Sequence, residues 1–333
     1  MTEHPEAERK RSAAFEAAGP FATNDPADVR WLLCGRGRPV SAGTSPYTVE
    51  VTPDVARVWY QDIERPRIEA EERWEELGYE PRPYAWFEPL PDFVLSQHLQ
   101  GLRLELGPEE VDRYRRAAAD AAGALVELLG ELRPEQRELD VAGAIAGALY
   151  ALGFTTPVVL VGGESRAPVH RHPLPTDALL GRFALLAFTA ERDGLYSSMT
   201  RVVSFGAPLP ELERAVRAAA EVDAAVLAEA RPGRTLGELF ETIVRTYGSL
   251  GLPDEWRRHH QGGLTGYKGR EVFAVPGDTT VLPPMCAVAF NPSVTGGGKS
   301  EDTVLVTSRG VEVLTRTPTL PELENGRPAI VAL

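Results

Sequence analysis

The sequence predicts an α+β protein in which a larger C-terminal domain packs helices on a mostly antiparallel sheet, preceded by a smaller α/β domain. Three observations predict it. The chain has 333 residues, too many for a typical single core. Its 43% hydrophobic and 25% charged residues belong to an ordinary globular protein rather than a disordered one. Its second half alternates long helical periodicities with β-rich runs joined by turn residues.

The elements follow in order. Residues 1–20 are polar and alanine-rich and read as a flexible lead-in. Residues 21–106 form the small α/β domain. There Val29–Leu33, Tyr47–Val51 and Ala56–Tyr60 are short β-rich runs separated by Gly, Pro and Asp turn signals. Ile63, Arg67, Ala70 and Trp74 recur at helical spacing over 63–77, and proline-rich sequence over 81–91 closes the segment. Trp31 and Trp74 read as core. Residues 107–333 form the larger domain. Val111, Tyr114, Ala118, Ala121, Leu125, Leu128 and Leu132 make the apolar stripe of a long helix. A second helix over 138–152 stops at Gly153, which suits a left-handed cap. A strand at 157–161 follows, then strands over 183–188 and 196–205 joined around Asp193-Gly194, a hairpin signal. Helices over 209–230 and 236–250 come next, the latter opened by the capping box Thr235-Leu-Gly-Glu238. Strands at 287–290, 303–306 and 311–314 complete the domain.

A net charge of −13 argues against nucleic acid, since phosphate binding needs a basic face. Cys34 and Cys286 fit no disulfide framework or zinc spacing, so a reducing cytoplasm is expected. The N-terminal residues lack a signal-peptide core, and no run of about 18 apolar residues predicts a membrane span.

Four of the six histidines sit in two clusters, Val169-His-Arg-His172 and Arg258-His-His-Gln261, each in a Gly/Pro-rich connection beside predicted strands. Connections of that kind carry sites more often than cores do, although a lone histidine is more often structural. The second cluster continues as His259-His-Gln-Gly-Gly-Leu-Thr-Gly-Tyr-Lys-Gly-Arg-Glu271. In order along the chain stand His172-Pro-Leu-Pro-Thr-Asp177, Asp193-Gly-Leu-Tyr-Ser-Ser-Met-Thr-Arg201, Phe290-Asn-Pro292 and Ser300-Glu-Asp-Thr-Val-Leu-Val306. With Asp28–Leu33, these segments resemble the creatinase / aminopeptidase P / prolidase family (peptidase family M24). That resemblance implies the pita-bread fold for the larger domain, a creatinase-type N-terminal domain and a homodimer.

Metallopeptidases of this family hold two ions with two aspartates, one histidine and two glutamates. Carried over by resemblance, those positions are Ala187, Ser198, Gly263, Asn291 and Glu301, of which only Glu301 keeps its carboxylate. No metal and no cofactor are therefore expected. Likeness to creatinase, which works without metal, makes His172 the proton shuttle, with His259 and His260 assisting. Arg270 matches an arginine that grips a substrate carboxylate. Glu271 and Glu301 would orient a cationic or amide group, and Thr200 and Asn291 stand where creatinase has glutamates. The expected activity is metal-independent cleavage of a C–N bond, by hydrolysis or elimination, in a small carboxylate-bearing molecule. Two rivals stand beside it. One is an Xaa-Pro-type metallopeptidase with a rearranged site drawn from Asp193, His259, His260 and Glu301. The other is a pseudoenzyme that only binds a ligand or partner. Simpler roles also stand: Arg270 and Glu271 as an ion pair, Asp193 as a turn residue, Arg201 as a brace, and Gly296–Gly298 as a poor phosphate loop.

Overall fold

Asp193 and Gly194 are successive left-handed residues, with φ of 55° and 80°, the backbone of a two-residue hairpin turn of type I′. They join β6 (Phe183–Arg192) to β7 (Leu195–Ser204), the strands expected on either side. The structure is a computed structural model and describes residues 4–40, 45–90, 92–93 and 99–333. The chain divides into two compact units: one runs to Arg113 and takes in Asp193–Leu195, the other holds Tyr114–Arg192 and Tyr196–Leu333.

In the first unit, β1 (Phe21–Thr23), β2 (Thr48–Val51), β3 (Ala56–Gln61) and β4 (Glu80–Tyr84) form one sheet in that order. Strand β4 lies at the edge, parallel to β3, where Pro81 and Pro83 need not donate to a further strand. Trp31 and Trp74 are buried. Three segments differ from expectation. Residues 5–18 are a helix, α1 (Pro5–Ala18), and its Lys10 is buried between Glu6 at 2.7 Å and Glu110 at 2.8 Å. Composition could not reveal that long-range pair. The run at 29–33 lies mostly in α2 (Pro26–Leu32), because Asp25 caps Ala27 N at 2.9 Å and Pro26 pre-sets the first turn. The 63–77 periodicity is broken into single turns, among them α3 (Arg65–Arg67), and Arg73 is left-handed at φ 43°. Tertiary packing overrides the spacing: Trp74 lies edge-on to Tyr47 and Tyr60, with centroids 5.1 and 5.6 Å away. A short α4 (Gln100–Arg103) follows.

Beyond α5 (Pro108–Leu129), the second unit contains α6 (Glu138–Ala151), β5 (Thr155–Gly163), α7 (Pro210–Glu229) and α8 (Leu236–Ser249). Gly153 is left-handed after α6, and the Thr235–Glu238 capping box is formed in full. Then come β8 (Gly262–Thr265), β9 (Val272–Phe273), β10 (Cys286–Phe290), β11 (Ser293–Val294), β12 (Gly298–Lys299), β13 (Val304–Thr307), β14 (Gly310–Val313) and β15 (Val331–Ala332). One sheet runs β15-β7-β6-β5, a second runs β14-β13-β10-β8-β9, and β11 pairs with β12. Every pair of the second sheet is antiparallel. Strand β6 shows why its sequence is almost wholly apolar. Ala184, Leu186, Phe188 and Ala190 join a core with Leu125, Ile145 and Leu149. On the opposite face Phe183, Leu185 and Ala187 meet Leu212 and Val216 of α7. Thr200 of β7 receives Glu301 across an isolated bridge, its N–H donating to the Glu301 carbonyl at 3.0 Å.

Candidate active site

Within the second unit a cavity of ≈ 300 Å³ is lined by His172, His260, Arg270, Asn291, Lys299 and Glu301. Ala187, Thr189, Tyr196 and the apolar Leu160, Val158 and Phe273 complete much of its wall. That volume is at the lower end for small-molecule sites. His172, His260 and Phe273 are exposed at its mouth, whereas Asn291, Lys299 and Glu301 are buried.

A knot of charge draws the two histidine segments together. The Arg171 guanidinium pairs with Glu255 and donates to Thr295 Oγ1 at 2.8 Å. Glu255 in turn accepts from Thr295 N at 3.0 Å and from its hydroxyl at 2.7 Å. Arg171 adjoins His172, and Glu255 stands one turn ahead of His259, so the knot fixes both clusters against the β11–β12 hairpin. His172 Nε2 and His259 Nε2 are 2.9 Å apart, and the rings of His259 and His260 stack at 4.4 Å. Nδ1 of His259 is buried without a hydrogen-bond partner.

Burial, with the nearby Lys299 cation, holds all three imidazoles below the ordinary histidine value. His259 is pushed down to about 2. His260 is pushed down to about 4, with Arg270 adding to the effect of burial. The cluster is neutral near pH 7. Facing it, Arg270 donates to Glu301 Oε1 at 2.8 Å, Thr200 Oγ1 donates to Oε2 at 2.8 Å, and Lys299 Nζ lies 3.7 Å from Oε2. Burial alone would raise the Glu301 pKa, but Lys299 and Arg270 outweigh it and keep the carboxylate ionised. Burial pushes Lys299 down. Two cationic side chains thus share one carboxylate among the lining residues.

Of the residues singled out in sequence, His172, His259, His260, Arg270, Thr200, Asn291 and Glu301 come together here. The Asn291 Oδ1 is buried without a partner. Glu271 is buried but is not among the residues lining the cavity. Arg270 pairs with Glu301. Asp193 is the turn residue, and Arg201 is a brace, fully buried with bonds to Asp302 at 2.9 Å and to the Thr200 carbonyl at 2.7 Å. Lys299 is the charged lining residue that no motif marks. Its signal was a lysine directly after three glycines and two positions before Glu301. Gly298 presses flush on α7, where a Cβ would come 2.2 Å from the Ala215 carbonyl.

A dinuclear centre does not fit these residues. Ala187 and Gly263 offer no ligand atom, and the Ser198 hydroxyl is engaged by Thr189 at 2.9 Å and Arg270 at 3.3 Å. Glu301 is already shared by Arg270, Thr200 and Lys299.

The model of metallopeptidase family M24 matches residues 112–308. The chain is 26% identical over 239 residues to the uncharacterized peptidase YqhT of Bacillus subtilis, covering 67% of this chain and 65% of that protein. It is 25% identical over 235 residues to an Xaa-Pro dipeptidase of Pyrococcus furiosus, covering 66% and 65%. The matched part is therefore just under two thirds of these relatives' length. Among solved structures, the dipeptidase PepE of Mycobacterium ulcerans superposes with a TM-score of 0.76 at 20% identity, over 99% of this chain and all of that one. An Xaa-Pro dipeptidase of Bacillus anthracis gives 0.77 at 20% identity, over 98% and 99%. The pita-bread fold expected from the motifs is the fold of these neighbours. No helix among the described residues is long and apolar enough to cross a membrane.

Proposed function

The chain belongs to metallopeptidase family M24, and from that premise we propose that it hydrolyses an amide C–N bond in a small carboxylate-bearing molecule of dipeptide size, without a dinuclear metal centre. One observation carries the reading: a small cavity sets two cations against a single carboxylate and places neutral imidazoles beside them. The unmatched positive charge suits a substrate carboxylate, which Arg270 would hold by its planar fork with Lys299 alongside. Asn291 Oδ1, unpartnered, would accept from a substrate N–H.

The chemistry then falls to the histidines. A neutral His172 takes a proton from water as the water oxygen bonds to the amide carbon. It returns that proton to the nitrogen as the C–N bond breaks. His259, at 2.9 Å, fixes the ring and its tautomer.

A second reading has its own support. The Pyrococcus furiosus relative and the Bacillus anthracis structure are both named Xaa-Pro dipeptidases, which favours peptides as substrates, and the family is one of metallopeptidases, which favours a metal-dependent mechanism. A panel of dipeptides, Xaa-Pro among them, and N-acylated amino acids tests both readings with and without chelator. Turnover that survives chelation supports the first. Turnover that needs two bound ions per chain supports the second, and binding without turnover would leave a ligand-binding pseudoenzyme.

A further inference from the structure

We infer that His172, His259 and His260 form a site for one divalent transition-metal ion, distinct in ligands and in number from a carboxylate-bridged pair. One ring nitrogen from each histidine lies within 4.8 Å of the others. The Nε2 atoms of His172 and His259 are 2.9 Å apart. Two imidazole nitrogens on a tetrahedral zinc ion stand about 3.3 Å apart, given metal–nitrogen distances of about 2.0–2.1 Å. The pair needs only a slight separation to admit an ion.

His259 is 8% exposed, so its ring is held in place behind the other two. His172 and His260 are exposed, which gives an ion a way in and leaves a coordination position facing the cavity. Three imidazoles with no carboxylate select borderline ions such as Zn²⁺, Co²⁺ or Cu²⁺ over Mg²⁺ or Mn²⁺. The neighbouring Arg270 and Lys299 charges weaken the site, so the ion exchanges with chelator.

The consequence for chemistry rests on the hydrolytic reading above. An ion on His172 Nε2 would replace the contact with His259 that sets the tautomer of the base. Occupancy and proton transfer therefore exclude each other, and the ion is an inhibitor.

The test uses the whole chain, purified without a histidine tag and stripped with chelator. Co²⁺ is titrated in and followed by its visible absorption, with elemental analysis after Zn²⁺ loading. One ion per chain is expected. His172→Gln and His260→Gln should each weaken binding at least about tenfold, while His170→Gln, next to the cluster in sequence, leaves it unchanged. Circular dichroism of each variant separates ligand loss from misfolding. No bound ion, two ions per chain, or undiminished binding in folded His172→Gln and His260→Gln would overturn the site. Activity gives a separate arm. Zn²⁺ that stops amide hydrolysis and chelator that restores it support the exclusion. A loaded protein that turns over while the stripped one does not would overturn the exclusion and the histidine-base reading, yet leave the metal site standing.

Discussion

Arg270 lies 2.8 Å from Glu301 through its Nη2, and both side chains are nearly buried at the cavity wall. The guanidinium has its other Nη on Ser198 Oγ at 3.3 Å and on the Gly269 carbonyl. Both of its terminal nitrogens are therefore anchored, which fixes the guanidinium plane at the cavity wall.

Arg270→Met should raise KM for a carboxylate-bearing substrate about thirtyfold or more, the equivalent of about 2 kcal/mol, with a smaller change in kcat. A methyl ester of the same substrate should lose affinity for the native protein and little further for the variant. An unchanged KM would remove Arg270 from substrate binding.

His172→Gln should lower kcat/KM by about 10²–10⁴, the usual worth of a positioned acid–base group. Because His172 is exposed, the melting temperature should barely move. Wild-type turnover in that variant would exclude His172 as the base.

The pH profile follows from the burial of the imidazoles. Only their neutral forms accept a proton, and all three are held below the ordinary value of 6.5. The acid limb of kcat/KM should therefore lie below 6.5, and a limb centred at or above that value would contradict the proposal. Stability has the same sign. Below pH 6.5 an unfolded chain takes a proton that His259 refuses while folded, so its contribution is full above 6.5 and is lost as the pH falls towards about 2. Urea titrations at pH 7.5 and 5.0 measure the difference, to which buried carboxylates also contribute.

Glu255→Gln tests the knot behind the histidines. Breaking a largely buried pair costs about 3 kcal/mol, which lowers the melting temperature by several degrees. It should also reduce kcat, since the segments bearing His172 and His259 are no longer tied through Arg171 and Thr295. Stability lost with full kcat retained would make the knot structural only.

Asp193→Val should destabilise the hairpin by about 1–2 kcal/mol, because a β-branched residue tolerates φ of 55° poorly. Asp193→Asn should be close to neutral, and chemical denaturation compares the two.

What could be read from the chain divides along physical lines. Elements fixed by local chemistry were legible: the Thr235 capping box, the Asp193-Gly194 turn and the apolar stripe of α5 each rest on residues within a few positions of one another. The turns around Trp74 and helix α1 were not, because aromatic packing on Trp74 and the burial of Lys10 against Glu110 decide them over long separations. The Asp25-Pro26 cap was local and legible, but a run of β-propensity residues outweighed it. At the site, the histidines and Arg270 stood out by motif. Lys299 did not, because a buried lysine has meaning only once Glu301 and Arg270 are seen beside it.

The narrow glycine path at the start of β8 bears on what this protein could become. At Gly263 any side chain would place its first carbon 2.1 Å from the Val272 carbonyl, and at Gly262 2.0 Å from that of Ala289. A histidine cannot be introduced at 263 by a single codon change, since β9 would have to swing away first. Directed evolution towards a two-ion peptidase would meet a barrier in the main chain before it met one in the chemistry. Variation among the side chains of the cavity wall stays open, so a change of ligand preference is within easier reach than a two-ion centre.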